Sequence, residues 1–414
     1  MPLRHDQQIR TFGTRFKLFA QPRFLKDFAT PVPVWVSSPR GTVGAGPQDS
    51  RMAVVDAIDK QPYDPLKDLP PWPGIRQPPV APGPDGHFDY LDPASREFGC
   101  AHMFGSVRRV LDIWEGYLGA PIAWHFADLQ PRLEMIPYVK WDNAQAGYGY
   151  LETGTGKPKE GTGEPFCLNF DVLAHETGHL IIFSLLGIPD DAALTTEYRA
   201  FHESSSDLVA LLSVLHFPTV VDHVLAGCCG NLYVENELNR VAELSPSEEI
   251  RLASNAHRMI DVPDATLPWD KLTQPQLHQV GEPMTGAMFD ILVEIFQEIL
   301  VETGMITREI DRLADRAADG SVDIERARTA YADAYAANPE GFRSALIRAR
   351  DVMGFRLART WQEISPNHLH FADVAARFLT VDRRRSGNRF QEIIRDCLNW
   401  RQIGWDLLPP RAAA

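Results

Sequence analysis

The stretch FDVLAHETGHLIIFSLL, Phe170–Leu186, places two histidines and a glutamate at a spacing that suits metal chemistry: His175, Glu176 and His179 form an HExxH motif. On an α-helix, residues four apart lie on one face, so His175 and His179 direct their imidazoles at one cation while Glu176 projects beside it. Zinc with three protein ligands and one open position lowers the pKa of water towards about 7 and needs a carboxylate to take the proton. Glu176 has that position. The flanking Leu173, Ala174, Leu180, Ile181, Phe183 and Leu185 predict a strongly buried helix, where histidine and glutamate are rarely found without partners. Gly178 sits inside it despite a propensity cost of about 1 kcal/mol, as expected where another element approaches closely.

A third ligand is required. Downstream, TTEYRAFHESSSDLVALLSVLHF reads as a second helix in which Glu203 and Asp207 are four apart and share a face. Glu203 is the expected third ligand, giving a His-His-Glu site, and Asp207 is expected to accept a hydrogen bond from the far nitrogen of a ligand histidine and so fix its tautomer. Glu197 and His202 compete for the ligand role, but neither has a partner carboxylate one turn on. Ser204, Ser205 and Ser206 are small enough to let two helices pack closely near the metal.

HETGH followed by HESSSD resembles the HExxH-then-ExxxD arrangement of the thermolysin-like zinc metallopeptidases, the gluzincins. Upstream, Asp142-Asn143-Ala144 and then GYGYLETGTG resemble that family's edge strand and its continuation, and CAHMFGSVRRVLDIWEGYLG (100–119) is similar to its Ala-His-opened helix. The resemblance implies that Asn143 and Ala144 bind the substrate backbone, a role suited to an exposed strand edge, to which an extended peptide adds as another strand. GEPMTGAMFDILVEIF resembles the Gly-rich start of the next active-site helix.

The family stabilises the oxyanion with a tyrosine and a histidine, and the resemblance implies Tyr198 and His278 as the nearest equivalents. Tyr198 stands closer to Glu203 than the family's tyrosine does to its glutamate, and His278 comes a few residues early; at the expected histidine position this chain offers Glu282 or Met284. Arg240 and Arg251 are alternatives for the arginine that holds the substrate carbonyl. Asp171 matches a family calcium-binding position, but the partner carboxylates are missing, so no calcium site is expected and Asp171 reads as a charge favouring the helix dipole.

The surrounding chain has 414 residues, 44% hydrophobic, enough for one large core or two domains. A net charge of −14 argues against sequence-independent nucleic-acid binding, and RRRSG at 383–387 reads as a solvated turn. No stretch approaches the ~20 apolar residues of a membrane span, and the first residues lack the apolar core of a signal peptide. The five scattered cysteines make no disulfide framework, and Cys228-Cys229-Gly230 reads as a turn. A cytoplasmic protein without nucleic-acid or membrane partners is therefore expected, although thermolysin-like enzymes are typically secreted.

Four segments are expected. Residues 1–60 hold strands at 31–37 and 51–58; residues 61–86, rich in proline, form a strap; residues 87–217 carry the zinc helices; residues 218–414 form a helical lobe. In the third segment a helix at 96–117 carries His102 as a structural residue, APIAWHF, RLEMIPYVKW and AGYGYLE read as strands, and 154–165 as a loop at the cleft mouth. In the last, helices are expected at 247–259, 286–303, 306–318, 323–336, 341–357, 370–379 and 389–400. The fold class is α+β, a thermolysin-like arrangement of a sheet-containing N-terminal lobe and a mostly helical C-terminal lobe with a zinc cleft between. The expected function is zinc-dependent hydrolysis of a peptide or protein substrate. The alternatives are a zinc-bound peptide-binding scaffold, or a hydrolase for one dedicated peptide or protein.

Overall fold

The computed structural model describes residues 5–23, 25–64, 67, 69–155, 163–233, 240–241, 251–318 and 324–405. Its architecture is α+β. Among the described residues, helix α1 (His5–Phe12) leads into β1 (Gly13–Leu18), which pairs antiparallel with β2 (Val32–Pro39). Strands β3 (Met52–Val54), β4 (Leu133–Ile136), β5 (Ala144–Gly147) and β6 (Tyr150–Thr153) form a second sheet in the order β3-β4-β6-β5. Its first three strands are parallel, and β5 joins antiparallel as an edge. Helix α2 (Arg96–Leu118) is capped by the Ser95 side chain and packs against both sheets.

The remaining described elements, apart from the two-residue strands β7 (Arg240–Val241) and β8 (Arg251–Leu252) and short 3-10 turns, are the helices α3 (Phe170–Leu186), α4 (Thr196–Val214), α5 (Pro218–Gly227), α6 (Gln274–Glu302), α7 (Arg308–Ala318), α8 (Ile324–Ala337), α9 (Pro339–Glu363), α10 (Phe371–Ser386) and α11 (Gln391–Trp400), joined by loops. One buried apolar cluster runs from Phe16 to Ile403 and includes faces of α2, α3, α4, α6 and α9. No single described helix is long and apolar enough to cross a membrane.

Several expectations are corrected. The described part of 247–259 is not helical: Arg251 and Leu252 pair with β7, and the following turn is held by Asn255, which donates to the Glu282 carbonyl. Helix α6 starts at Gln274, not at 286, because Thr273 and Gln276 form a capping box and Pro275 occupies the first turn. Gly281 is a contact point inside that helix: a Cβ there would lie 2.8 Å from the Ala200 carbonyl oxygen of α4. Residues 120–126 form no strand; the Trp124 indole donates to the Arg51 carbonyl. Arg383, Arg384 and Arg385 are exposed as expected but end α10, which Gly387 terminates at φ 60°. The 154–165 loop lies mostly outside the described residues.

The proline-dense strap is bound to the sheet by buried charge. Lys60 Nζ lies 2.6 Å from Glu152 Oε2 with both side chains fully buried. The same carboxylate accepts from Tyr63 N and from Gln145 Nε2 on β5, each at 2.7 Å. Tyr63 also donates its hydroxyl to Glu134, which accepts from Trp72 N. The strap thereby holds the edge strand in place.

His102 on α2 is structural, as expected from the sequence. It accepts from Phe19 N at 3.0 Å and its Nδ1 donates to the Cys167 carbonyl at 2.8 Å. Burial pushes its pKa from 6.5 down to about 4. The folded form therefore keeps the ring neutral while the unfolded chain protonates first. Its contribution is present above pH 6.5 and is lost as pH falls from 6.5 towards 4, by up to about 3 kcal/mol. Urea midpoints of wild type and His102→Gln at pH 7 and pH ~4.5 test this: the gap between them should narrow at the lower pH. An unchanged gap refutes it.

Candidate metal centre

Two helices supply the centre. On α3, Asn169 caps the first turn by accepting from Asp171 N and Val172 N, and Gly187 ends the helix at φ 89°. Helix α4 starts at Thr195, whose hydroxyl accepts from Tyr198 N. The two pack at close range where Gly178 faces Ser206: a Cβ on Gly178 would sit 2.7 Å from the Ser206 Cα. The glycine inside one helix and the serine run inside the other are thus one feature, a close crossing that brings the polar faces together.

At that crossing the Nε2 atoms of His175 and His179 are 3.1 Å apart, and Glu203 Oε2 lies 3.5 Å from the first and 3.8 Å from the second. All three ligand atoms lie within 4.8 Å of one another, the one such His/Cys/Asp/Glu grouping of three among the described residues. Tetrahedral zinc with bonds of about 2.0–2.1 Å spaces its donors about 3.3 Å apart. Asp207 Oδ1 is 2.9 Å from His175 Nδ1. That carboxylate draws the ring proton to Nδ1 and leaves the Nε2 lone pair directed at its neighbours. Converging ring lone pairs and a carboxylate repel one another unless a cation lies between them, so the donor set fits a divalent metal. Of the alternative ligands, Glu197 is spent on His370 Nδ1 at 2.9 Å and on Phe371 N. His202 packs its ring 4.2 Å from that of Phe183 and pairs Nε2 with the Tyr198 hydroxyl.

The ligands open onto a cavity of about 760 Å³. Glu176 lines it beside them and is 8% exposed. Asn143 and Ala144 line it with Gln145 and Ala146, so the edge strand β5 borders the cavity. His278 enters from the first turns of α6, with Nε2 3.3 Å from Glu203 Oε2. It reaches the centre from a helix, where the sequence suggested a loop. Tyr198 also lines the cavity, but its hydroxyl donates to the Gly187 carbonyl at 2.8 Å, and burial raises its pKa. Arg240 and Arg251 lie on the paired strands β7 and β8; their side chains are outside the described residues. Asp171 is buried in the first turn of α3, where Gln21 Nε2 approaches at 3.4 Å.

The sequence reading missed Arg199, Trp141, Leu277 and Gln274, which complete the cavity wall. Arg199 carried a signal, since it stands four before Glu203 and so on the same helical face. The others come from distant segments and carried none. Asp207→Asn is expected to weaken zinc binding about 10- to 100-fold, measured by competition with a chelator of known affinity. Unchanged affinity would remove Asp207 from the centre.

No family model matches the sequence, and comparison with curated proteins found no match. Among solved structures the chain is similar to the precursor of protealysin, a metalloproteinase from Serratia proteamaculans, at 13% identity and a TM-score of 0.47, over 85% of this chain and 86% of that one.

Proposed function

We propose that this chain is a zinc metallopeptidase of the thermolysin-like type that hydrolyses peptide bonds within an extended substrate. The observation that carries this reading is the convergence of His175, His179 and Glu203 at a cavity bordered by Glu176 and an edge strand. Held by those three ligands, zinc supplies Lewis acidity towards the scissile carbonyl and towards water.

The protein's own residues do the rest. The β5 edge pairs with the substrate backbone and sets the scissile bond against the ligand cluster, with Asn143 at the start of that edge. Glu176 takes the proton from the attacking water as the new C–O bond forms, then delivers it to the amine as the C–N bond breaks. His278 is the donor best placed for the developing oxyanion, because it already stands beside Glu203. Tyr198 can join only by exchanging its bond to the Gly187 carbonyl.

Cleavage of a peptide library by zinc-loaded protein, read by mass spectrometry, tests the proposal. Defined cut sites that vanish on chelation and return with zinc support it. Stoichiometric zinc with peptide binding but no cut sites would replace it with the binding-scaffold reading. Failure to bind zinc would overturn both.

A further inference from the structure

The cavity wall contains a cation without a counter-charge. Arg199 lies one helical turn before Glu203, and its guanidinium carbon sits 3.8 Å from the centroid of the Trp269 ring. The segment carrying Trp269 is tied to the same helix, because Thr196 donates its hydroxyl to the Leu267 carbonyl. Among the described residues Arg199 makes no hydrogen bond or ion pair, and its Nε is buried without an acceptor.

Arg199 is half-buried at the cavity wall, with only its Nε fully shielded. Four of the buried arginines elsewhere, Arg108, Arg350, Arg356 and Arg401, each meet a carboxylate, from Asp112, Asp351, Asp382 and Asp290 in turn. At Arg199 desolvation lowers the pKa, and no carboxylate is among the groups that oppose it. Within the same cavity Glu203 faces three histidines, and Asp191 is exposed and forms no ion pair with Arg199. Arginine stays charged in proteins, and its planar fork matches a carboxylate with two parallel hydrogen bonds. Stacking on the indole orders the guanidinium before any ligand arrives.

We propose that Arg199 selects substrates that carry a carboxylate close to the scissile bond, either an acidic side chain or the free C-terminus. Four helical residues separate Arg199 from Glu203, a rise of about 6 Å, or roughly two residues of extended peptide. The carboxylate therefore falls one or two residues from the bond that is cut. The word substrate rests on the peptidase reading above, whereas carboxylate recognition does not.

Binding is measured by fluorescence anisotropy on zinc-loaded Glu176→Gln protein, so that no turnover is needed. Matched labelled peptides differ in one group: Asp or Glu against Asn or Gln in one arm, C-terminal acid against amide in the other. A preference of about tenfold or more for the carboxylate is expected in one arm, and that arm identifies its source. Adding Arg199→Gln should bring the affinity of the carboxylate peptide down to that of its neutral match, with Arg199→Lys intermediate. Near-equal binding in both arms, or a preference that survives in Arg199→Gln protein of unchanged melting temperature, overturns the inference and leaves the peptidase reading intact. If no peptide binds and the library is uncut, the peptidase reading falls and takes the inference with it. A carboxylate preference without any cleavage keeps the inference and overturns the peptidase reading.

Discussion

Replacement of Glu176 by glutamine is expected to lower peptide hydrolysis by about 10²- to 10⁴-fold, the usual contribution of a positioned general base, while leaving one zinc per chain. Glutamine keeps the size of the side chain and its polarity but cannot accept the proton from water. The ligand atoms belong to His175, His179 and Glu203, so metal content measured by plasma mass spectrometry should not change. Loss of activity with loss of zinc would place Glu176 among the ligands. Activity within about tenfold of wild type would remove it from the chemistry altogether.

Lys60→Met should produce the largest loss of stability. It leaves Glu152 fully buried beside the strap with no counter-ion, a change that typically costs about 3–5 kcal/mol. Two hydrogen bonds to that carboxylate, from Tyr63 N and Gln145 Nε2, remain and limit the damage. The effect should spread to the cleft, because Gln145 lies on the edge strand. Urea unfolding measures the loss, and protection of the β5 amides against hydrogen exchange reports the loosening. The double variant Lys60→Met, Glu152→Gln should recover part of the stability, since the neutral amide still offers an acceptor to Tyr63 N and Gln145 Nε2 without leaving an unpaired buried charge. A cost below about 1 kcal/mol for Lys60→Met would mean that water reaches Glu152 and the pair is no clamp.

The sequence by itself named the side chains that converge at the candidate metal centre. His175 and His179 share a face, and Glu203 and Asp207 share another, through helical periodicity, which acts over four residues and needs no knowledge of the fold. Gly178 and the Ser204–Ser205–Ser206 run announced a close helix crossing for the same reason: small residues in a buried helix carry a cost that packing must offset. The structure-bearing role of His102 and the edge position of Asn143 and Ala144 also agree with that reading.

Tertiary structure decided what depends on distant segments. The resemblance of its Gly-rich segment to a helix start puts the beginning of α6 at 286, whereas the helix runs through Gly281 and Pro283 and at Gly281 the missing side chain admits the Ala200 carbonyl of α4. That longer helix is what carries His278 to Glu203. Lys60 finds Glu152 across 92 positions of chain, and Arg199 finds Trp269 but no carboxylate. Local propensity encodes which face of a helix a residue occupies. Only the folded chain decides which charges that face meets, and whether one of them, at Arg199, is left for a ligand.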